Sequence, residues 1–134
     1  MTRLGTNAEL VRRAFERWNT GDRESLLEDI DPDVEIKVAS SELAGGEPYH
    51  GHEGYREWLT TMEESFEVWQ IHPEIFREHA DKVLVLGHMH LRGRGSGVEL
   101  DQETGWIVEV ADGKMTRFQA FLSHEEALEA GGIS

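Results

Sequence analysis

No cysteine occurs in the chain. That excludes disulfides, a thiolate metal site and a cysteine nucleophile together. Proline is scarce, with 3 residues, at Pro32, Pro48 and Pro73. Positive charge is scarce too: 13 Lys and Arg face 27 Asp and Glu, for a net charge of -14. A surface that acidic repels phosphate backbones and anionic lipid, so neither nucleic acid nor membrane is an expected partner. Arg92-Gly93-Arg94 is too short a cluster to make a basic binding stripe. No long apolar run is present either, so neither a signal peptide nor a membrane span is expected, and a cytoplasmic location is. At 134 residues the chain is large enough to bury a core without staples, and residues 1–134 are expected to form a single domain.

What is present is an ordered succession of patterns. Leu10, Val11, Ala14, Phe15 and Trp18 recur at helical spacing, opposite a charged face of Glu9, Arg12, Arg13, Glu16 and Arg17. Thr6 or Asn7 can cap this helix, and Gly21 supplies a left-handed end. Asp22 is placed to cap a short second helix, 23–29, that Pro32 stops. Val34, Ile36 and Val38 then alternate with acidic and basic residues, as in a half-buried strand. A Gly- and Pro-containing loop follows, and its segment 40–49 is placed to cover a pocket mouth. A third helix, from Glu53 to about Glu67, carries Tyr55, Trp58, Leu59, Met62 and Phe66 on one face.

Four strands are expected after it. The first, 71–79, contains Pro73 and should be a bulged or edge strand. The others are 82–94, 98–110 and 114–122, with a tight turn at Asp112-Gly113. Ser123 and Glu126 form a capping box at the head of a short terminal helix.

Several phrases carry a resemblance: Trp18-Asn19-Thr20-Gly21-Asp22, Asp31-Pro32-Asp33-Val34, Tyr49-His50-Gly51-His52-Glu53-Gly54 and Asp112-Gly113-Lys114. Together, and in this order, they resemble the SnoaL-like family of the nuclear transport factor 2-like superfamily, over roughly residues 8–131. The resemblance implies an α+β fold: a cone-shaped, curved antiparallel sheet wrapped around three N-terminal helices, with one deep pocket. It also implies a homodimer formed through the outer sheet face, and Val83, Val85 and Met89 are the apolar residues expected there.

The family scaffold is present, but the catalytic residues of its enzymes are not. In ketosteroid isomerase an oxyanion hole of tyrosine and protonated aspartate faces an aspartate base. The matching positions here hold Ala14, Trp106 and Val38 or its neighbour Lys37. The acidic base of the polyketide cyclases, near the last strands, has Gln119 as its nearest polar counterpart. The Asp-Arg-Asp set of limonene epoxide hydrolase has no inward-pointing equivalent.

The expected pocket is therefore aromatic and apolar. Its ligand-contacting residues are expected to be Trp18, Val38, Trp58, Leu59, Met62, Trp106, Val108, Phe118 and Ala120. Matching to the isomerase strand places Leu84, Leu86, His88 and His90 on the pocket face, which makes His88 and His90 the catalytic candidates. Their Cα atoms would lie about 6.5 Å apart on one strand face. In an apolar site both imidazoles would stay neutral and could serve as base and donor. The plainer alternatives are that they touch ligand without chemistry, mark the solvated end of the sheet, or line an interface. A register slip of one residue decides between the faces.

Two His-x-His pairs, His50-Gly51-His52 and His88-Met89-His90, raise a zinc reading. Chance pairing among seven histidines explains them better, and neither metal nor cofactor is expected. The expected function is to bind a small hydrophobic molecule, with or without acid–base conversion of isomerase, cyclase, dehydratase or hydrolase type. The alternative is a non-catalytic ligand-binding or protein-interaction module.

Overall fold

A computed structural model describes residues 6–37 and 48–132. Helix α1, Thr6–Thr20, leads into a 3₁₀ turn at Glu24–Asp29 and strand β1, Ile30–Lys37. After β2, Tyr49–His50, comes helix α2, Gly51–Ser65. Four long strands follow: β3, Phe66–His79; β4, Lys82–Gly93; β5, Glu99–Ala111; and β6, Lys114–Phe121. Helix α3, His124–Gly131, ends the described chain.

The six strands form one curved, unclosed sheet in the order β2-β1-β6-β5-β4-β3. The architecture is α+β, as expected. Every pairing is antiparallel except β1 with β6, which run parallel. That pairing is possible because the helix α2 and four strands intervene, long enough for the chain to return in the same direction.

The amphipathic stripe of α1 forms as the spacing requires: Ala8, Leu10, Val11, Ala14, Phe15 and Trp18 are buried. Its exposed face is laced by Arg12, which pairs with both Glu9 and Glu16. Gly21, at φ +90°, closes the helix by donating its N–H to the Trp18 carbonyl. The second helix is a 3₁₀ turn, and Arg23 precedes it without a side-chain cap, contrary to the cap expected at Asp22. β1 starts at Ile30, so Pro32 lies inside a strand at a register irregularity rather than at a helix stop.

The bulge expected at Pro73 is present, between Pro73 and Ile75 on edge strand β3. Opposite it, a Cβ on Gly87 would fall 2.1 Å from the His72 carbonyl oxygen, so only glycine lets β3 and β4 approach there. Ser123 caps α3, its Oγ accepting from the Glu126 N–H at 3.1 Å.

The two sheet faces are covered differently, and this corrects one expectation. α1 and α2 pack on the inner face, in a core with Val83, Val85, Leu91, Trp106, Val108 and Val110. On the outer face α3 seals a smaller cluster of Leu84, Leu86, Ile107 and Ala127. Gly105 allows this contact, since a Cβ there would lie 2.4 Å from that of Ala127. Hence Leu84, Leu86, His88 and His90 belong to the outer face, the opposite of the expected assignment. Val83 and Val85, at 0 % exposure, and Met89 point inward. They are not the outward patch on which the homodimer expectation rested. No helix among the described residues is long and apolar enough to cross a membrane.

Candidate functional site

Four aromatic side chains from four elements converge on the inner face. Trp18 of α1, Trp58 of α2 and Trp69 of β3 form a triangle with ring centroids 4.8–5.3 Å apart. Phe118 of β6 adds to it, 6.1 Å from Trp58. Such edge and tilted pairs each add about 0.5–1.5 kcal/mol beyond their area burial. The Arg23 guanidinium lies 4.3 Å from the centre of the Trp18 ring and donates to the Trp69 carbonyl at 2.9 Å. Its partial burial pushes its pKa down, against the pull of the nearby Glu63 carboxylate. The Trp18 indole N–H also reaches the Trp69 carbonyl, at 3.2 Å.

Beside this triangle lies a cavity of about 280 Å³. Trp58, Phe66, Trp69, Trp106 and Phe118 supply its aromatic walls, and Met62 and Met89 supply thioethers. It reaches the surface past Leu100 and Leu122, which are 50 % and 42 % exposed. Gln102 and Thr104 are its polar lining residues, and no lining residue is titratable among those described. A smaller void of about 50 Å³ lies under α1, walled by Tyr55, Val34, Ile36 and Met115 among others. Trp58, Ile71 and Phe118 line both spaces and so form the partition between them.

The polar groups around these spaces have defined roles. The Tyr55 hydroxyl donates to the Arg23 carbonyl at 2.7 Å, and burial pushes its pKa well above the usual phenol range. It is therefore a neutral donor whose proton is already engaged. Thr104, fully buried, donates its hydroxyl to the Gln102 carbonyl at 3.0 Å. The Gln102 amide nitrogen donates to the carbonyls of Glu103 and Leu122. The Trp69 indole N–H spends itself on the Met89 thioether, at 3.2 Å. Trp58, 5 % exposed, has no hydrogen-bond partner for its indole nitrogen among the described residues. A buried donor left unpaired costs about 1–3 kcal/mol.

The expected site residues fall into four groups. Trp58, Met62, Trp106, Phe118 and Ala120 line the larger cavity. Trp18 lines the smaller one. Leu59 and Val108 are buried in the core and line neither space. Val38 lies outside the described residues, as does the loop read as a pocket cover, up to Glu47. Ala14, at the isomerase tyrosine position, lines the smaller void, and Trp106, at the aspartate position, lines the larger.

His88 and His90 do not reach the cavity. On the outer face, His88 donates from Nδ1 to Glu74 at 2.5 Å, with its ring 5.8 Å from that of His124. His90 donates from Nδ1 to Asp101 at 2.9 Å. Both are partly exposed and hydrogen-bond to carboxylates on a polar outer surface. His52 donates to the Ile30 carbonyl at 2.8 Å. Among the described residues, no three of His, Asp and Glu come together in a way that could hold a metal ion.

Trp69, Phe66, Met89, Leu91, Gln102 and Thr104 were not expected in the wall. Gln102 and Thr104 share the parity of Trp106, so the alternation of β5 already contained them. For β4 the signal was the switch from apolar Met89 and Leu91 to polar His88 and His90, which marks Met89 and Leu91 as inward. Matching along the chain to a distant enzyme overrode that alternation.

An α+β architecture with an aromatic cavity beneath a curved sheet is the fold of nuclear transport factor 2-like proteins. The chain belongs to the SnoaL-like domain family, whose model matches residues 11–118. The fold is similar to that of a nuclear transport factor 2-like protein of unknown function from Burkholderia pseudomallei. The two are 19% identical with a TM-score of 0.80, over 94% of this chain and 97% of that one. It is also similar to TerC co-crystallised with polyporic acid, at 23% identity and a TM-score of 0.79, covering 93% and 97%. A third similar structure is a hypothetical protein with a ketosteroid isomerase-like fold from Catenulispora acidiphila, in complex with trimethylamine. It is 15% identical with a TM-score of 0.74, covering 94% of each chain. No curated protein matches the sequence.

Proposed function

We propose that this protein binds a small, mostly apolar, ring-containing molecule in the cavity between α2 and strands β3–β6, and that the described walls hold and orient it without exchanging protons with it. The observation that carries this reading is the lining itself: five aromatic rings, two methionines and only Gln102 and Thr104 as polar residues, around about 280 Å³. Concave, mostly apolar spaces with a few placed polar groups are the usual form of a ligand site. The crystallisation of similarly folded proteins with polyporic acid and with trimethylamine supports a ligand-holding role for the scaffold. Acid–base conversion needs a titratable group at the ligand, and the described lining contains none.

The test is a titration of the protein with a neutral bicyclic, tetralin (1,2,3,4-tetrahydronaphthalene), followed by tryptophan fluorescence. Saturable quenching is expected, because Trp58, Trp69 and Trp106 wall the cavity. Ala120→Phe, which fills the space from the β6 side, should abolish it while leaving the far-ultraviolet dichroism unchanged. A linear, unsaturable response in the unsubstituted protein would dismiss the reading.

A further inference from the structure

We infer that Phe118 and Trp58 are specificity-determining residues that set the depth of the cavity. They let it take a ligand of about two fused rings and leave a third in-line ring in water at the mouth. This rests on the binding reading above and deepens it by naming the size class of the ligand.

Two spaces on the inner face share one partition. Trp58, Ile71 and Phe118 line both the cavity of about 280 Å³ and the void of about 50 Å³ beneath α1. Ala14, Phe15 and Trp18 of α1 line the void alone. Its described lining is apolar except for Tyr55, whose hydroxyl proton is held by the Arg23 carbonyl. A space so lined suits hydrocarbon and not water. In chemistry the void therefore continues the cavity, and three side chains cut it off.

The three are held differently. Trp58 is wedged in the tryptophan triangle, its ring centroid 5.3 Å from those of Trp18 and Trp69. Ile71 is fixed through its backbone, which hydrogen-bonds twice to the Asn19 side chain. Phe118 makes longer ring contacts, 6.1 Å to Trp58 and 6.4 Å to Phe15. Its ring can be removed without breaking the triangle, so it is the partition residue to vary.

Volume then sets the ligand class. A dry apolar cavity of about 150 Å³ holds one benzene ring. About 280 Å³ accordingly holds about two rings. A third ring in line meets Phe118 and Trp58 if it points inward. If it points outward it passes the exposed Leu100 and Leu122 into solvent, where it buries little surface and adds little affinity.

The experiment compares tetralin with its linear three-ring homologue, 1,2,3,4,5,6,7,8-octahydroanthracene, which adds four methylenes. Affinities are read from tryptophan fluorescence on the full chain, and dichroism checks that each variant is folded. The unsubstituted protein should bind the two probes within about threefold of each other. Phe118→Ala joins the two spaces and should tighten the three-ring probe by about tenfold, well inside what four newly buried methylenes supply. Ile71→Ala opens the partition from β3 and should shift the preference the same way, which keeps the test decisive if Phe118→Ala does not fold. Ala14→Leu, added to Phe118→Ala, refills the void and should take the gain back, whereas a gain from general loosening would survive it. A three-ring probe that already binds the unsubstituted protein about tenfold tighter than tetralin overturns the depth limit. An unshifted preference in both partition variants, or a gain that survives Ala14→Leu, overturns it equally. In those cases tetralin still binds and the apolar cavity reading stands. Failure of tetralin itself to bind overturns both.

Discussion

The side-chain amide of Asn19 clasps the backbone of Ile71 with two hydrogen bonds: Nδ2 donates to the Ile71 carbonyl at 2.6 Å, and the Ile71 N–H donates to Oδ1 at 2.8 Å. Ile71 lies on β3, the edge strand, whose outward backbone groups have no neighbouring strand. A carboxamide carries one donor and one acceptor in the geometry of a peptide group, so Asn19 imitates one residue of a missing strand. With Trp18 donating to the Trp69 carbonyl, the end of α1 is stitched to the strand that walls the cavity.

Asn19→Ala should therefore lower stability by about 1–2 kcal/mol, the range for two partly solvated hydrogen bonds. Urea unfolding followed by circular dichroism measures it. Asn19→Asp should do no better than alanine, because a carboxylate cannot donate to the Ile71 carbonyl. Full stability in either variant would show that the clasp is incidental.

Gly87→Ala should destabilise by about 3 kcal/mol, because the added methyl cannot avoid the His72 carbonyl oxygen without parting β3 from β4. The thermal midpoint reads this. An unchanged midpoint would mean that the two strands separate there at little cost.

Tyr55 makes stability fall in alkali. Burial raises its pKa in the folded protein above the ordinary value of 10.0. The unfolded chain therefore releases this proton first, and stability is lost as pH rises beyond about 10. Below that pH the contribution is fully present. Tyr55→Phe should flatten the decline between pH 9 and 11 in denaturant titrations. An equally steep decline would assign it to other groups.

His88→Ala and His90→Ala, singly or together, should leave the affinity for tetralin unchanged, because both imidazoles lie on the far face of β4 and bond to Glu74 and Asp101. Fluorescence titration decides. A loss of binding would bring these residues back to the ligand.

The residue pattern was a good guide where one face of an element is wet and the other dry. The stripe of α1, the Pro73 bulge, the Ser123 cap and the inward parity of Trp106, Phe118 and Ala120 could all be read from periodicity or local chemistry. It failed on β4, where Val83-Leu84-Val85-Leu86 is apolar on both sides. There α3 buries the outer face as completely as α1 and α2 bury the inner one. Trp69 was missed for another reason: the third helix was expected to run to about Glu67 and the next strand to start at Ile71, whereas β3 begins at Phe66.

By itself, then, the order of amphipathic and alternating segments determined the α+β architecture, because each such segment has one stable way to bury its apolar side; the family came from the resemblance of short motifs such as Trp18-Asn19-Thr20-Gly21-Asp22. Which imidazoles meet solvent, which indole is left without a partner among the described residues, and that Gln102 and Thr104 join the cavity lining were decided only in three dimensions. Those properties depend on which elements cover each face of the sheet and on which carbonyl lies within about 3 Å of each donor, and neither is written in the spacing of residues along one strand.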